Sequence, residues 1–186
     1  MAKRRVCPWW LGYLLANPLR RFVEDPAKIL APYIREGMTV LEPGPGMGFF
    51  TLELARMVGG SGRVLAVDIQ SRMLSALKRR AAKAGLLERV DARLAHPDSM
   101  GLAGLAGTVD FVLAFAVVHE LPDAGSFFAE ACQAMKPGAC LLLAEPAGHM
   151  NTAKFEAELA VAAQAGFSVV ERPVIRWNRT ALLRRF

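Results

Sequence analysis

The sequence predicts an α/β protein built on a doubly wound, mostly parallel sheet, and three observations lead there. From residue 26 onward, helical and strand patterns alternate with short Gly/Pro punctuation. "VDFVLAFAVV", residues 109–118, is almost wholly apolar, as a central strand buried on both faces must be. "GPGMG", residues 44–48, follows one strand pattern directly and leads into a helix, the place where open parallel sheets bind ligands. A chain of 186 residues can bury a sizeable core, and no internal repeat or composition shift divides it.

"DPAKILAPYI" (25–34) reads as a helix with Asp25 and Pro26 at its cap and first turn. "MTVLEPG" (38–44) is the first strand and "FFTLELARMV" (49–58) a helix with helical apolar spacing. The turn and strand "GGSGRVLAVDI" (59–69) come next. "SRMLSALKRRAAKAG" (71–85) is an amphipathic helix with Ser71 as cap and Gly85 as stop. "RVDARLA" (89–95) is a strand, "HPDSMGLAGLAG" (96–107) a loop, and "AGSFFAEACQAM" (124–135) a helix stopped by Lys136-Pro137-Gly138. "ACLLLAEP" (139–146) is another buried strand, and "TAKFEAELAVAAQAG" (152–166) a helix. The last 20 residues supply two strands with a turn near Asn178.

Apolar residues make up 53% and charged residues 22% of the chain, the composition of an ordered globular protein. The net charge of +6 comes from dispersed Lys and Arg, at Lys3 to Arg5, Arg20-Arg21, Lys78 to Lys83 and Arg184-Arg185. Scattered basic residues read as solvated helix faces before they read as a nucleic-acid groove. Cys7, Cys132 and Cys140 show neither metal spacing nor a disulfide framework, so a cytoplasmic location is expected. The basic and apolar start is interrupted by Pro8, Trp9, Trp10 and Gly12, lacks a cleavage site, and is too short to span a bilayer; no other segment spans either.

In "VLEPGPGMG", Glu42 stands two residues before Gly44, and Gly44, Gly46 and Gly48 are spaced G-x-G-x-G. A dinucleotide fingerprint would need a glycine at Phe49, and no Gly-Lys-Ser/Thr phosphate loop is present. From about residue 25 to 186 the chain resembles the class I S-adenosylmethionine-dependent methyltransferases, whose first motif is an acid followed by G-x-G-x-G. Glu42 replaces their more usual Asp. The resemblance implies S-adenosylmethionine as cofactor and a Rossmann-like, seven-stranded sheet of order 3-2-1-4-5-7-6 with an antiparallel strand near the C-terminus. A carboxylate beside the glycines suits a cofactor bearing ammonium and sulfonium charges, which a phosphate site would repel. The resemblance also implies that Asp68, at the end of the second strand, binds the ribose and that Ile69 packs on adenine. It sets Asp98 near the adenine amine, with Ser99 and Met100 beside it, and counts Ser99 with Asp98 among the cofactor-binding residues. Taken singly, the glycines make a tight turn, and Glu42, Asp68 and Asp98 are acids at helix or turn starts.

Methyl transfer is an in-line displacement that needs no obligatory acid or base, although a nucleophile that must lose a proton is served by a nearby His or carboxylate. His119 and Glu120 end the fourth strand region, and Glu145 and His149 follow the fifth. His119 is the first choice for a catalytic polar group and Glu145 and His149 the second; the alternatives are a loop hydrogen-bond pair and a metal site, the former preferred for His119-Glu120. Residues 1–25 form a helical and aromatic arm, read as an active-site lid or as core packing through Trp9, Trp10, Tyr13 and Leu14. Residues 26–186 form the methyltransferase domain. "AFAVVHE" lacks the Asn/Asp-Pro-Pro-aromatic motif of relatives that methylate base amines, which disfavours nucleic acid. The expected function is methyl transfer to a small molecule. The alternative is a non-catalytic module of the same fold that binds RNA or a partner protein.

Overall fold

The computed structural model describes residues 24–96 and 98–186; the expected N-terminal arm and Cys7 lie outside the described residues, apart from the arm's last two residues, Glu24 and Asp25. Seven strands form one sheet in the order β3-β2-β1-β4-β5-β7-β6. The described residues fall into two compact units, divided at residue 97.

The first unit opens with α1 (Pro26–Leu30), where Asp25 Oδ1 accepts from the Ala27 N–H at 3.1 Å, the expected cap. The helix ends before Pro32, four residues earlier than the pattern suggested. β1 (Thr39–Pro43), β2 (Arg63–Asp68) and β3 (Val90–Leu94) pair in parallel, Glu42 opposite Ala66 and Asp68 opposite Leu94. Between them run α2 (Thr51–Met57) and α3 (Ser71–Lys83). Phe49 and Phe50, expected in α2, lie ahead of it, with buried rings packed edge to face at 5.2 Å. The cap position of α3 belongs to Gln70, not Ser71, and Asp68 Oδ1 accepts the Gln70 N–H at 2.8 Å. Gly85 ends α3 with φ +68, as expected.

The second unit holds β4 (Val109–Phe115) and β5 (Met135–Pro146) in parallel, with β7 (Asn178–Arg185) antiparallel to both β5 and β6 (Phe167–Glu171). β4 is buried except at Asp110, but it stops at Phe115, and a short helical turn, Val118–Glu120, follows. α4 (Ala124–Ala134) runs straight into β5, so Lys136-Pro137-Gly138 lie inside the strand, where the β4–β5 register shifts. α5 (Thr152–Gln164) buries Phe155, Glu158, Leu159 and Ala162, a helical stripe. The turn expected near Asn178 falls at Arg176-Trp177, closed by the Asn178 N–H donating to the Ile175 carbonyl at 3.1 Å, and Asn178 itself starts β7.

Two arginines of the dispersed basic set are structural. Arg80 donates through Nη1 to the Met47 carbonyl, and Arg185 to the Met135 carbonyl. Among the described residues no helix is long and apolar enough to cross a membrane.

Candidate active site

In the first unit the chain leaves β1 through three glycines, all with positive φ. A Cβ on Gly46 would meet nothing within 4 Å, so its removal leaves backbone open to a ligand. Gly48 differs. Its φ is +86, and a Cβ there would overlap Leu77 Cδ1, so this glycine serves the packing of the loop on α3. Gly44 donates its N–H to the Val67 carbonyl at 2.9 Å, tying the loop to the end of β2.

Glu42 reaches the loop from β1 with only 4% of its surface exposed. Its Oε2 and the Thr51 Oγ1 are buried without a hydrogen-bond partner. Burial pushes the Glu42 carboxyl up from 4.5 to about 7; the polar Thr51 hydroxyl nearby offsets part of the rise, and the Asp68 carboxylate adds to it. An acid of this kind is stable folded while it keeps its proton, because the unfolded chain releases that proton near 4.5. Stability contributed through Glu42 should therefore fall as pH rises from about 4.5 to 7, by about 3 kcal/mol in all. Glu42→Gln should flatten this fall in urea melts without abolishing it, since Glu158 rises to about the same value.

Asp68 is buried at the end of β2, and the side chain of the next residue, Ile69, is 42% exposed. Asp98 and Ser99 belong to the second unit. There Ser99 Oγ donates to Glu130 Oε2 at 3.2 Å, and the Met100 N–H donates to the same oxygen at 2.9 Å. The Ser99 hydroxyl thus has a partner on α4.

The second unit brings His119, Glu145 and His149 together. Ala116 follows β4 with φ +56, a costly conformation outside glycine that concentrates at functional sites. The chain turns there, and the Val118 N–H donates to Glu145 Oε1 at 2.8 Å. Glu145 is fully buried, and its other oxygen, Oε2, bonds His119 Nδ1. Both carboxylate oxygens are engaged, so Glu145 stands behind the imidazole. An Nδ1–H donated to Glu145 leaves Nε2 of a neutral His119 with its lone pair free, 4.0 Å from Glu120 Oε1. The hydrogen bond to Glu145 raises the His119 pKa; partial burial opposes the rise, and the charges of Glu145, Glu120 and Glu158 add to it. The His149 ring packs edge-on against His119, with centroids 5.6 Å apart. Among the described residues no three His, Cys, Asp or Glu side chains are arranged to hold a metal ion.

Sequence reasoning missed Glu158, although an acid within the Phe155-Leu159-Ala162 stripe was a visible signal. It also missed the Arg80 clamp on Met47, because residues 33 apart leave no local pattern.

The solved structure of an S-adenosylmethionine-dependent methyltransferase from Aquifex aeolicus matches 97% of this chain and 100% of its own, at 28% identity and a TM-score of 0.86. A ubiquinone biosynthesis O-methyltransferase from Methylocella silvestris is 32% identical over 77% of this chain and 54% of its own. A demethylmenaquinone methyltransferase from Shouchella clausii is 29% identical over 61% and 48%. The chain spans about half the length of these two relatives. The methyltransferase domain family matches residues 34–174, most of the chain, and the protein belongs to that family.

Proposed function

We propose that the protein transfers the methyl group of S-adenosylmethionine to a small-molecule acceptor in the cytoplasm. The observation that carries this reading is the buried, partnerless Glu42 Oε2 at the end of β1, followed by a glycine loop whose backbone is left open at Gly46. An orphaned buried acceptor calls for a donor, and a cationic amine satisfies both the missing hydrogen bond and the charge. The residues present fit the cofactor. Glu42 and the loop of Gly44, Gly46 and Gly48 would hold its methionine end, Asp68 its ribose, and Ile69 and Asp98 its adenine; Ser99 shapes the Asp98 loop through Glu130. The free Cys132 and Cys140 suit a reducing compartment.

When bound, the cofactor supplies an electrophilic methyl group on sulfonium sulfur. The chain supplies binding, orientation and a proton acceptor. His119 Nε2 takes the proton that the acceptor's nucleophilic atom gives up, Glu145 fixes the ring through Nδ1, and His149 packs beside it. The small-molecule acceptor is supported by the quinone-pathway names of the curated relatives.

The test is calorimetric. Asp68→Ala should weaken S-adenosylhomocysteine binding by about 1.5 to 3 kcal/mol, through loss of charged hydrogen bonds to ribose hydroxyls. Affinity within a factor of about two of wild type would remove Asp68 from the ribose site. A parallel urea melt separates this from loss of the Gln70 N–H bond.

A further inference from the structure

Arg179, near the start of β7, stands directly opposite Glu145 of β5. Residues opposite each other in an antiparallel ladder point to the same face of the sheet, with Cβ atoms about 5 Å apart. Arg179 therefore leaves the sheet on the face where Glu145 holds His119. It is tied to the same corner through the loop after β5. Arg179 Nε donates to the Met150 carbonyl at 2.7 Å, and the residue before Met150 is His149, whose ring packs against that of His119. The loop is braced further: the His149 and Met150 N–H groups both donate to the Pro146 carbonyl at 3.0 Å, and the Ala147 N–H donates to the Trp177 carbonyl at 2.9 Å. Trp177 holds φ +65, a conformation that is costly outside glycine and concentrates at functional sites, and it is 65% exposed.

Bracing the loop occupies only the Nε–H of Arg179. Among the described residues its remaining guanidinium donors have no acceptor, although the group is half-buried. Glu145 does not take them, because its oxygens are held by the Val118 N–H and His119 Nδ1. We propose that Arg179 is an acceptor-binding residue: its guanidinium takes a carboxylate carried by the methyl acceptor and sets the acceptor's nucleophilic atom against His119. The inference rests on the reading of His119 as the acceptor-side base, and it narrows the acceptor to small acids. A guanidinium fork binds a carboxylate through two parallel hydrogen bonds, so it fixes direction as well as affinity. The exposed indole of Trp177 offers a flat apolar surface to an aromatic acid. Arg176, stacked over that indole at 4.9 Å, adds a second cation to the corner.

The experiment is an NMR titration of the full chain, with S-adenosylhomocysteine present, using benzoate and benzamide as probes and the imidazole Cε1–H signals as readout. The chain has 3 histidines, His96, His119 and His149, and His119→Gln and His149→Gln assign their signals. Benzoate should shift the His119 and His149 signals and leave His96 in place. Benzamide, the same ring without the charge, should bind at least about tenfold more weakly. Arg179→Met should bring the two probes to equal affinity, and Arg179→Lys, which keeps the charge but not the fork, should retain part of the preference. Arg184→Gln removes a charge from the other end of β7 and should leave the preference unchanged. Equal weakening of both probes in Arg179→Met, the result of a brace alone, would overturn the assignment. So would an unchanged preference in both Arg179 variants, or no effect of benzoate on either imidazole of wild type, and each of these would leave the base in place. Full methyl transfer by His119→Gln, read as S-adenosylhomocysteine release with a metabolite extract, would instead remove the base, and with it the acceptor role of Arg179.

Discussion

Replacing Glu145 by Ala should cost the fold about 3 to 5 kcal/mol, the loss expected when one partner is removed from a buried charged pair. The reason is the completeness of its bonding: one oxygen accepts from the Val118 N–H and the other holds His119 Nδ1, with no part of the side chain exposed. Alanine leaves a backbone donor and an imidazole without an acceptor in the interior, and a cavity where the carboxylate stood. The cost should depend on pH, and its sign follows from His119. That imidazole has a pKa raised above 6.5 in the folded protein, so the stability it contributes is complete below 6.5 and is lost as pH rises through the folded value. Urea melts of Glu145→Ala against wild type should therefore differ more at acid pH than at alkaline pH. Glu145→Gln, which keeps an acceptor for Val118 but not the charge, should cost less and bring the His119 midpoint down. Equal losses at both pH values would show that His119 and Glu145 do not interact as a charged pair.

Gly48→Ala is the second large effect, and its contrast with Gly46→Ala separates packing from binding. At Gly48 a Cβ adds backbone strain of about 1 to 2 kcal/mol at φ +86. It also overlaps Leu77 Cδ1, and Leu77 is fully buried on α3, so the leucine cannot swing into solvent. Overpacking adds about 1 to 3 kcal/mol, giving a total near 3 kcal/mol in a urea melt. At Gly46, φ is +54 and the Cβ meets nothing, so stability should fall only by the strain of about 1 to 2 kcal/mol. The added methyl would stand in the open space assigned to the cofactor. S-adenosylhomocysteine affinity should fall at least about tenfold in Gly46→Ala, a loss of about 1.4 kcal/mol or more. If Gly46→Ala binds as wild type does, the opening at that glycine is not where the cofactor lies.

The fold was legible because its signals are local and repeated. The apolar run of β4, the cap at Asp25 and the glycine stop at Gly85 each arise from neighbours in sequence, and each lies where it was expected. What escaped was decided by tertiary contact. Lys136-Pro137-Gly138 does follow the end of α4, but β5 begins at Met135 rather than at Ala139, and the sheet absorbs the three residues as a register shift beside β4, because pairing from Phe111 and Cys140 onward restores the ladder. Phe49 and Phe50 fit a helix by periodicity but are drawn into a buried ring pair before α2 begins.

In the site, the acids and glycines were legible as residue types but not in their roles. Glu145 reads as a candidate catalytic group, and only its burial and double bonding set it behind His119. Gly48 belongs to the motif by spacing, while its steric reason is Leu77, 29 residues away. Ser99 looks available in a Gly/Ala-rich loop, and Glu130 has its hydroxyl.

The most direct measurement is calorimetric titration of wild type and Glu42→Gln with S-adenosylhomocysteine at about pH 6 and about pH 8, on either side of the Glu42 value of about 7. A cationic amine bound beside Glu42 requires the carboxylate, so wild-type affinity, of roughly micromolar order, should rise with pH, and the Glu42→Gln affinity should be weaker and flat. No binding by the folded wild-type protein at either pH would contradict the cofactor assignment. The glycine loop would then be a turn, and a non-catalytic module would replace the methyltransferase reading.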